Sequence, residues 1–403
     1  MRRGEKFFTP LGMTTTNTSV TLRKPNENWA SPHVVKHGEE NNTAVRYDVI
    51  DNCGGAAVIN SNVAELAQWM RLQLGRGTYN GKKFFSAAQS HQMWQPNIFI
   101  PISPAAEKFN PSRHFYGYGM GWFLADYQGR KVVSHGGGMT GMISQTALMP
   151  EENLGVVILT NSETSLPSWM VNKVFDVFLG VPNRNWSAEY LDRTNKAKTA
   201  AKADEAKTEA AQVKNTKPSL ELAKYAGTYT SPLYGEAKIT EENGKLVLQL
   251  MPAPNFIGDL EHWHYDTFTG GKAKDGVFEN MKYTFQTDAG GFIAAVSAPF
   301  EASVSPIVFK KKPDSQLFDP AYLARFAGEY SLMGTPWVVS LKGNALVVNS
   351  PGQSQMDLIP NLSGDFAIKQ TQVVTLHFVN DESGKPNAIE IRQPGTVLTA
   401  KRK

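Results

Sequence analysis

The run Ser134-His135-Gly136-Gly137-Gly138-Met139-Thr140-Gly141 is where residue types and spacing bear most directly on chemistry. Glycines bunched after a polar residue let main chain approach a ligand closely, and the imidazole beside them can orient a bound group by hydrogen bonding. That combination fits one wall of a substrate cleft. Taken alone, the motif equally fits a histidine that tethers a glycine turn. Ser134 has a hydroxyl in the right neighbourhood but no recognisable base beside it in sequence, so it reads as structural. A His-Gly-Gly-Gly run also occurs as an oxyanion-hole loop, but the companion Gly-x-Ser-x-Gly occurs nowhere. No Walker loop, no Gly-x-Gly-x-x-Gly that leads from a strand into a helix (Gly136-x-Gly138-x-x-Gly141 runs on into the strand-like Met142 to Met149) and no Cys-x-x-Cys is present, and no cofactor is expected. His33 and His37 are four apart but lack the Glu of a zinc-binding helix, and His262-Trp263-His264 reads as strand decoration, so no metal site is expected.

The elements that must position this run are strands. Tyr116 to Ala125 alternates through Gly119-Met120-Gly121-Trp122-Phe123-Leu124, and Arg130 to Ser134 leads into the motif. Met142 to Met149 and Leu154 to Thr160 follow, separated by the turn Pro150-Glu151-Glu152-Asn153. Short strands in succession predict an antiparallel sheet, ending in an apolar-striped helix from about Pro167 to Leu179. Tyr116, Tyr118 and Trp122 have the size to line a cleft, although aromatic residues on a strand more often fill a core.

Several segments together resemble the penicillin-recognising serine hydrolases, the peptidase S12-type family related to class C β-lactamases, D-Ala-D-Ala carboxypeptidases, D-aminopeptidases and similar esterases. Pro10-Leu11-Gly12-Met13 with Thr16 is similar to the family's PLGM-x-x-T stretch. Cys53-Gly54-Gly55 through Ala64-Glu65-Leu66-Ala67-Gln68-Trp69-Met70 resembles its AGG…S-x-x-D-L-A-x-W segment, and Tyr118-Gly119-Met120-Gly121-Trp122 its YG-x-GW strand. The resemblance spans roughly residues 1 to 185. It implies that His135, Gly136 and Gly137 stand at the third family motif and bind substrate, and that Cys53 packs as a small residue. A histidine in place of the β-lactamase lysine favours peptidase or esterase chemistry, because an ordinary imidazole is only partly protonated near neutral pH.

The family's acyl-serine chemistry also needs Ser-x-x-Lys and Tyr-x-Asn, and neither occurs here: Ser61 leads to Ala64, Ser86 to Gln89, Ser134 to Gly137, and no other serine fares better. No catalytic residue is therefore assigned. Both motifs lie upstream of PLGM in the family, so one truncated start explains both absences, and the chain alone is expected to be inactive. The alternatives are a non-catalytic binding or regulatory protein and a complementing chain that supplies Ser-x-x-Lys. Loss of the upstream elements is expected to bare a sheet edge and an apolar face around Gly119 to Leu124 and Val156 to Leu159, inviting self-association.

With 403 residues, 41% hydrophobic and 19% charged, the chain is globular and should hold two or three domains. A net charge of +4 is too small to suggest nucleic acid, one cysteine precludes an internal disulfide, and no run is long enough to span a membrane. The N-terminus has no apolar signal core; periplasmic or secreted placement rests on the resemblance alone. A Lys/Ala/Glu-rich stretch at 191–218 reads as a linker with helical tendency, after a hydrolase portion at 1–190. Beyond it the chain repeats itself. Leu222-Ala223-Lys224-Tyr225-Ala226-Gly227-Thr228-Tyr229 recurs as Leu323-Ala324-Arg325-Phe326-Ala327-Gly328-Glu329-Tyr330, and both copies end in basic residues, Lys310-Lys311-Lys312 and Lys401-Arg402-Lys403. Short alternating strands with glycine turns predict two small all-β barrels or sandwiches, at 219–312 and 318–403, which resemble the lipocalin-like domains appended to some members of the same family. The fold class expected is α+β with an antiparallel sheet, followed by two all-β barrel-like domains. The expected partner is a small-molecule, peptide or ester substrate.

Overall fold

Val132 and Val133 are neighbours in the chain but lie in different cores, and that split explains the first half of the molecule. The structure, a computed structural model, describes residues 4–24, 28–35, 41–182, 184–273, 279–301, 303–371 and 373–403. It divides into two compact units, one ending at Glu205 and one starting at Ala206. In the first, β1 (His33–Val35) pairs with β2 (Asn42–Ala44), and β3 (Thr78–Tyr79) with β4 (Lys82–Lys83). Six further strands make one antiparallel sheet, in sequence order from edge to edge: β5 (Ile98–Phe99), β6 (Tyr116–Tyr118), β7 (Phe123–Tyr127), β8 (Arg130–Met139), β9 (Met142–Met149) and β10 (Leu154–Thr160). Successive side chains point to opposite faces of a strand. Val133 and Leu148 therefore join Met70, Trp94, Trp122 and Leu124 on one face, while Val132, Ala147, Met149 and Val156 join Val171, Phe175 and Trp186 on the other. Burial on both faces is why Ala147-Leu148-Met149 and Val156-Val157-Ile158-Leu159 run without polar interruption.

Five helices accompany the sheet: α1 (Val63–Leu74), α2 (Ala87–Met93), α3 (Pro104–Phe109), α4 (Leu166–Leu179) and α5 (Trp186–Ala210). α1 packs on β10, and α4 packs on β9 and β10. The N-cap of α1 is Asn62, whose side chain accepts the Glu65 N–H at 3.0 Å. α4 has Pro167 in its first turn and ends on Gly180 at φ 64°, the left-handed stop that glycine takes at least cost. α5 is the Lys/Ala/Glu-rich stretch; it starts on buried Trp186, and half-buried Tyr190 packs beside it against Phe109. Buried Asp176 of α4 joins the parts, accepting the Tyr127 hydroxyl on Oδ1 and the Trp186 indole N–H on Oδ2 at 2.6 Å. Burial and this carboxylate push the Tyr127 hydroxyl well above the usual phenol range.

Two expectations need correction. Of the apolar face expected to lie bare around Gly119 to Leu124 and Val156 to Leu159, Trp122, Leu124 and Val156 are covered, at 7%, 7% and 8% exposed, by the helices over the sheet and by Trp94; Phe123 and Val157 to Leu159 are half-buried, and of these apolar side chains only Met120 stands clearly exposed. The sheet does have open edges among the described residues, the outer sides of β10 and β5. Cys53 does not pack: the short turn Asp51–Cys53 leaves its side chain exposed.

The chain before α1 is held by one carboxylate. Glu65 accepts the Thr15 N–H and hydroxyl on Oε1, both at 2.9 Å, and the Thr16 N–H at 2.8 Å and hydroxyl at 2.5 Å on Oε2. With its own proton so committed, Thr16 receives the Ser61 hydroxyl at 2.7 Å. Burial alone would raise the Glu65 carboxyl, but the donors on Thr16 and Thr15 outweigh it and hold the group below its ordinary value.

The second unit holds two closed antiparallel barrels of eight strands, running from β11 (Gly227–Ser231) to β18 (Ile307–Lys311) and from β19 (Gly328–Leu332) to β26 (Thr396–Arg402). The repeated motif sets each closure. The Tyr229 hydroxyl donates to Tyr225 O at 2.6 Å, and Tyr330 to Phe326 O at 2.9 Å, four residues back in both copies. Gly227 and Gly328 have φ of 144° and 154°, and a Cβ there would lie 2.8 Å from Lys311 Cε or 3.0 Å from Arg402 Nε. Those cations are the basic ends of the repeats. Lys311 Nζ donates to Lys224 O at 2.6 Å and Arg402 Nη2 to Ala327 O at 2.5 Å, so each last strand is tied to the turn that opens its barrel.

Two outcomes follow for stability. Glu65→Gln leaves two donors without an acceptor and should cost about 1–3 kcal/mol at pH 7 in chemical denaturation. Because the folded carboxyl titrates below the unfolded one, its contribution is full above the unfolded value of about 4.3 and fades as pH falls through the folded value. The gap between parent and variant should therefore narrow towards pH 3, and equal stability at pH 7 would contradict the clamp. Tyr330→Phe should cost about 1–2 kcal/mol by stranding a buried carbonyl, read as a lower urea midpoint with unchanged slope; an unmoved midpoint would remove the tyrosine from barrel closure.

Candidate functional site

The glycine run lies on β8, and β8 is longer than its neighbour. Pairing with β7 stops at Phe123↔Ser134, whereas pairing with β9 continues from Val133↔Leu148 to Met139↔Met142. From His135 to Met139 the β7 side of the strand has no strand partner among the described residues. An extended strand with one free edge presents a row of N–H and C=O groups that a ligand backbone can use. None of Gly136, Gly137 and Gly138 has a positive φ, so glycine is not demanded there by conformation. A Cβ would lie 2.7 Å from Gln145 Oε1 at Gly136 and 2.6 Å from Ser144 Oγ at Gly137, contacts with side chains rather than main chain. What the glycines chiefly provide is bare backbone along the open edge. Gly141 differs: φ is 72°, and a Cβ would come within 2.5 Å of His33 N, so the hairpin tip needs glycine on both counts.

His135 is held from both ring nitrogens. Its Nδ1 lies 2.5 Å from Gly136 O, an acceptor only, so Nδ1 carries the proton. Its Nε2 lies 3.1 Å from the Tyr118 hydroxyl, which in the neutral ring donates to Nε2. The ring also leans on Phe123, 5.5 Å between centroids, which in turn stacks on Tyr116 and meets Tyr118 edge-on. Across the strand the Thr146 hydroxyl donates to His135 O at 3.0 Å. All these partners are uncharged, so this wall offers oriented hydrogen bonds and an aromatic shelf rather than a charge.

His135, Gly136 and Gly137 thus stand together on one open edge. Of the three aromatic residues singled out in sequence, Tyr118 is at the site, Tyr116 supports it through Phe123, and Trp122 is core, edge-on to Trp94 at 6.5 Å. Phe123 and Thr146 were not picked out, because their part depends on cross-strand register. Ser134 lies opposite Phe123 and Ala147. Away from this site, His33 Nδ1 lies 3.1 Å from Asn161 O, His262 Nε2 is 2.9 Å from Tyr265 O, and His264 Nδ1 accepts the Val213 N–H at 3.2 Å. His37 is outside the described residues. Among the described residues no group of three or more His, Cys, Asp or Glu is placed to hold a metal, and no helix is long and apolar enough to cross a membrane.

The family model described as Beta-lactamase matches residues 4–178, and one described as a domain of unknown function matches residues 211–311. The chain is 26% identical over 247 residues to an unguisins hydrolase of Aspergillus campestris, covering 58% of this chain and 44% of that protein. It is 25% identical over 275 residues to an unguisins hydrolase of Aspergillus violaceofuscus, covering 61% and 47%. The chain therefore spans about half the length of these relatives. Among solved structures, an octameric penicillin-binding protein homologue from Pyrococcus abyssi is similar at 17% identity and a TM-score of 0.37, covering 76% of this chain and 58% of that one. The motifs Pro10-Leu11-Gly12-Met13, Tyr118-Gly119-Met120-Gly121-Trp122 and His135-Gly136-Gly137 all lie inside the match at 4–178, so these residues form a β-lactamase-family domain, by which the chain is kin to the β-lactamase-related serine hydrolases.

Proposed function

We propose that this chain carries the substrate-binding wall of an amide or ester hydrolase working through an acyl-serine, and that it does not itself form the acyl-serine. The open β8 edge at His135, Gly136 and Gly137 supports the first part: it offers main-chain groups to an extended substrate and, in the complete site, a donor for the oxyanion. The absence of Ser-x-x-Lys and Tyr-x-Asn from the 403 residues supports the second. Tyr118 fixes the His135 ring, so the imidazole positions the substrate without being the attacking group. On this reading the nucleophile lies on polypeptide other than these residues, and the free edge of β10 is the natural place for an added strand. A non-catalytic binding protein is the second reading, favoured by the intact wall beside the missing nucleophile.

The purified chain should show no stoichiometric labelling by a fluorophosphonate or a penicillin; a label at one defined serine would overturn the second part. A blocked dipeptide amide titrated into the labelled protein should shift the Gly136 and Gly137 amide resonances. His135→Ala should weaken that binding roughly two- to tenfold, the worth of one hydrogen bond. Shifts confined to other segments would overturn the first part.

A further inference from the structure

The β8–β9 hairpin does a second thing beyond His135. Its tip, at Met139 and Met142, forms one side of a cavity whose other walls come from residues 19–20, 32, 47–51 and 57–60 of the same unit. Its lining includes buried Val58, the two half-buried methionines, half-buried Tyr47 and Asp48, and exposed Asp51. The cavity measures about 50 Å³, room for roughly three to five water-sized atoms at 10–15 Å³ each. Asp51 is anchored: buried Ser19 donates its hydroxyl to Asp51 Oδ2 at 2.6 Å, while the residue itself stays exposed. Among the described residues, neither Asp48 nor Asp51 forms an ion pair. Arg23 lies over the ring of Tyr47, 4.9 Å from its centroid.

A cavity lined by apolar side chains and by carboxylates without an ion pair among the described residues selects against anions. It suits a small organic cation that buries its carbon stem and keeps its charge at the rim. We propose that this cavity is a binding site for a primary alkylammonium group, with Asp51 as the principal acceptor and Asp48 adding field. It stands on its own geometry. If the hydrolase reading also holds, Met139 lies four steps of extended strand beyond His135, about 13 Å, and the cavity would favour substrates bearing an amine at that reach.

The test needs neither catalysis nor the rest of a hydrolase, so it can fail independently of the proposed function. The full chain, with Met methyl groups labelled, is titrated with n-propylammonium, n-propanol and propionate at constant ionic strength. Saturable shifts at Met139 and Met142 are expected with the ammonium at millimolar concentrations, weaker ones with the alcohol and none with propionate. Asp51→Asn keeps an acceptor for Ser19 and should weaken ammonium binding about fivefold, the scale of a partly exposed ion pair; Asp48→Asn should weaken it less. Equal binding of ammonium and alcohol, or an unchanged affinity in both variants, would overturn the proposal, as would the absence of saturable shifts at both methionines.

Discussion

The site exists because β8 outruns β7 while β9 keeps pace with it. That mismatch turns five residues of ordinary strand into an exposed backbone edge. It is tolerable only because the root of the hairpin is fixed. Val133 and Leu148 are both fully buried on one face, and Val132 and Ala147 on the other. Burying a valine or leucine side chain is worth about 1.5–3 kcal/mol, so slipping the hairpin by one residue would exchange both cores and is strongly opposed. The helices over β10 complete the support, since β10 holds β9 and β9 holds β8 in register.

Around that edge the polar groups are organised by neutral partners. Gly136 O fixes the proton on Nδ1 of His135, and Tyr118 then meets the other nitrogen. Elsewhere in the unit, the Glu65 carboxylate is spent on the main chain and hydroxyls of Thr15 and Thr16. In physical terms the PLGM stretch and the α1 segment, two of the motifs that carried the family resemblance, are a donor segment and its acceptor.

Much of this was legible in the sequence. Met142–Met149 and Leu154–Thr160 are strands with the bounds read from apolar runs on either side of Pro150, and the two barrels follow from the recurrence of Ala-Gly-x-Tyr. The strand through the glycines was only partly legible. Arg130 to Ser134 reads as a lead-in, but β8 continues to Met139 because pairing with β9 overrides the poor strand propensity of glycine. Cys53 was placed by resemblance, and its exposure depends on a turn that no periodicity reports. The role of the basic chain ends in closing each barrel, and the cavity at the hairpin tip, both join residues far apart in sequence. Only the folded chain brings them together.

The central claim is that the His135–Met139 edge of β8 is open and rigid, and residue-resolved amide hydrogen exchange on the native chain tests it most directly. The account predicts strong protection at Val133 and Leu148, and within His135–Met139 an alternation in which amides bonded to β9 are protected and those facing the free edge exchange fast. Uniform protection along the segment would mean that the edge is occupied, and uniform fast exchange that the hairpin is not held there at all; either result would contradict the account.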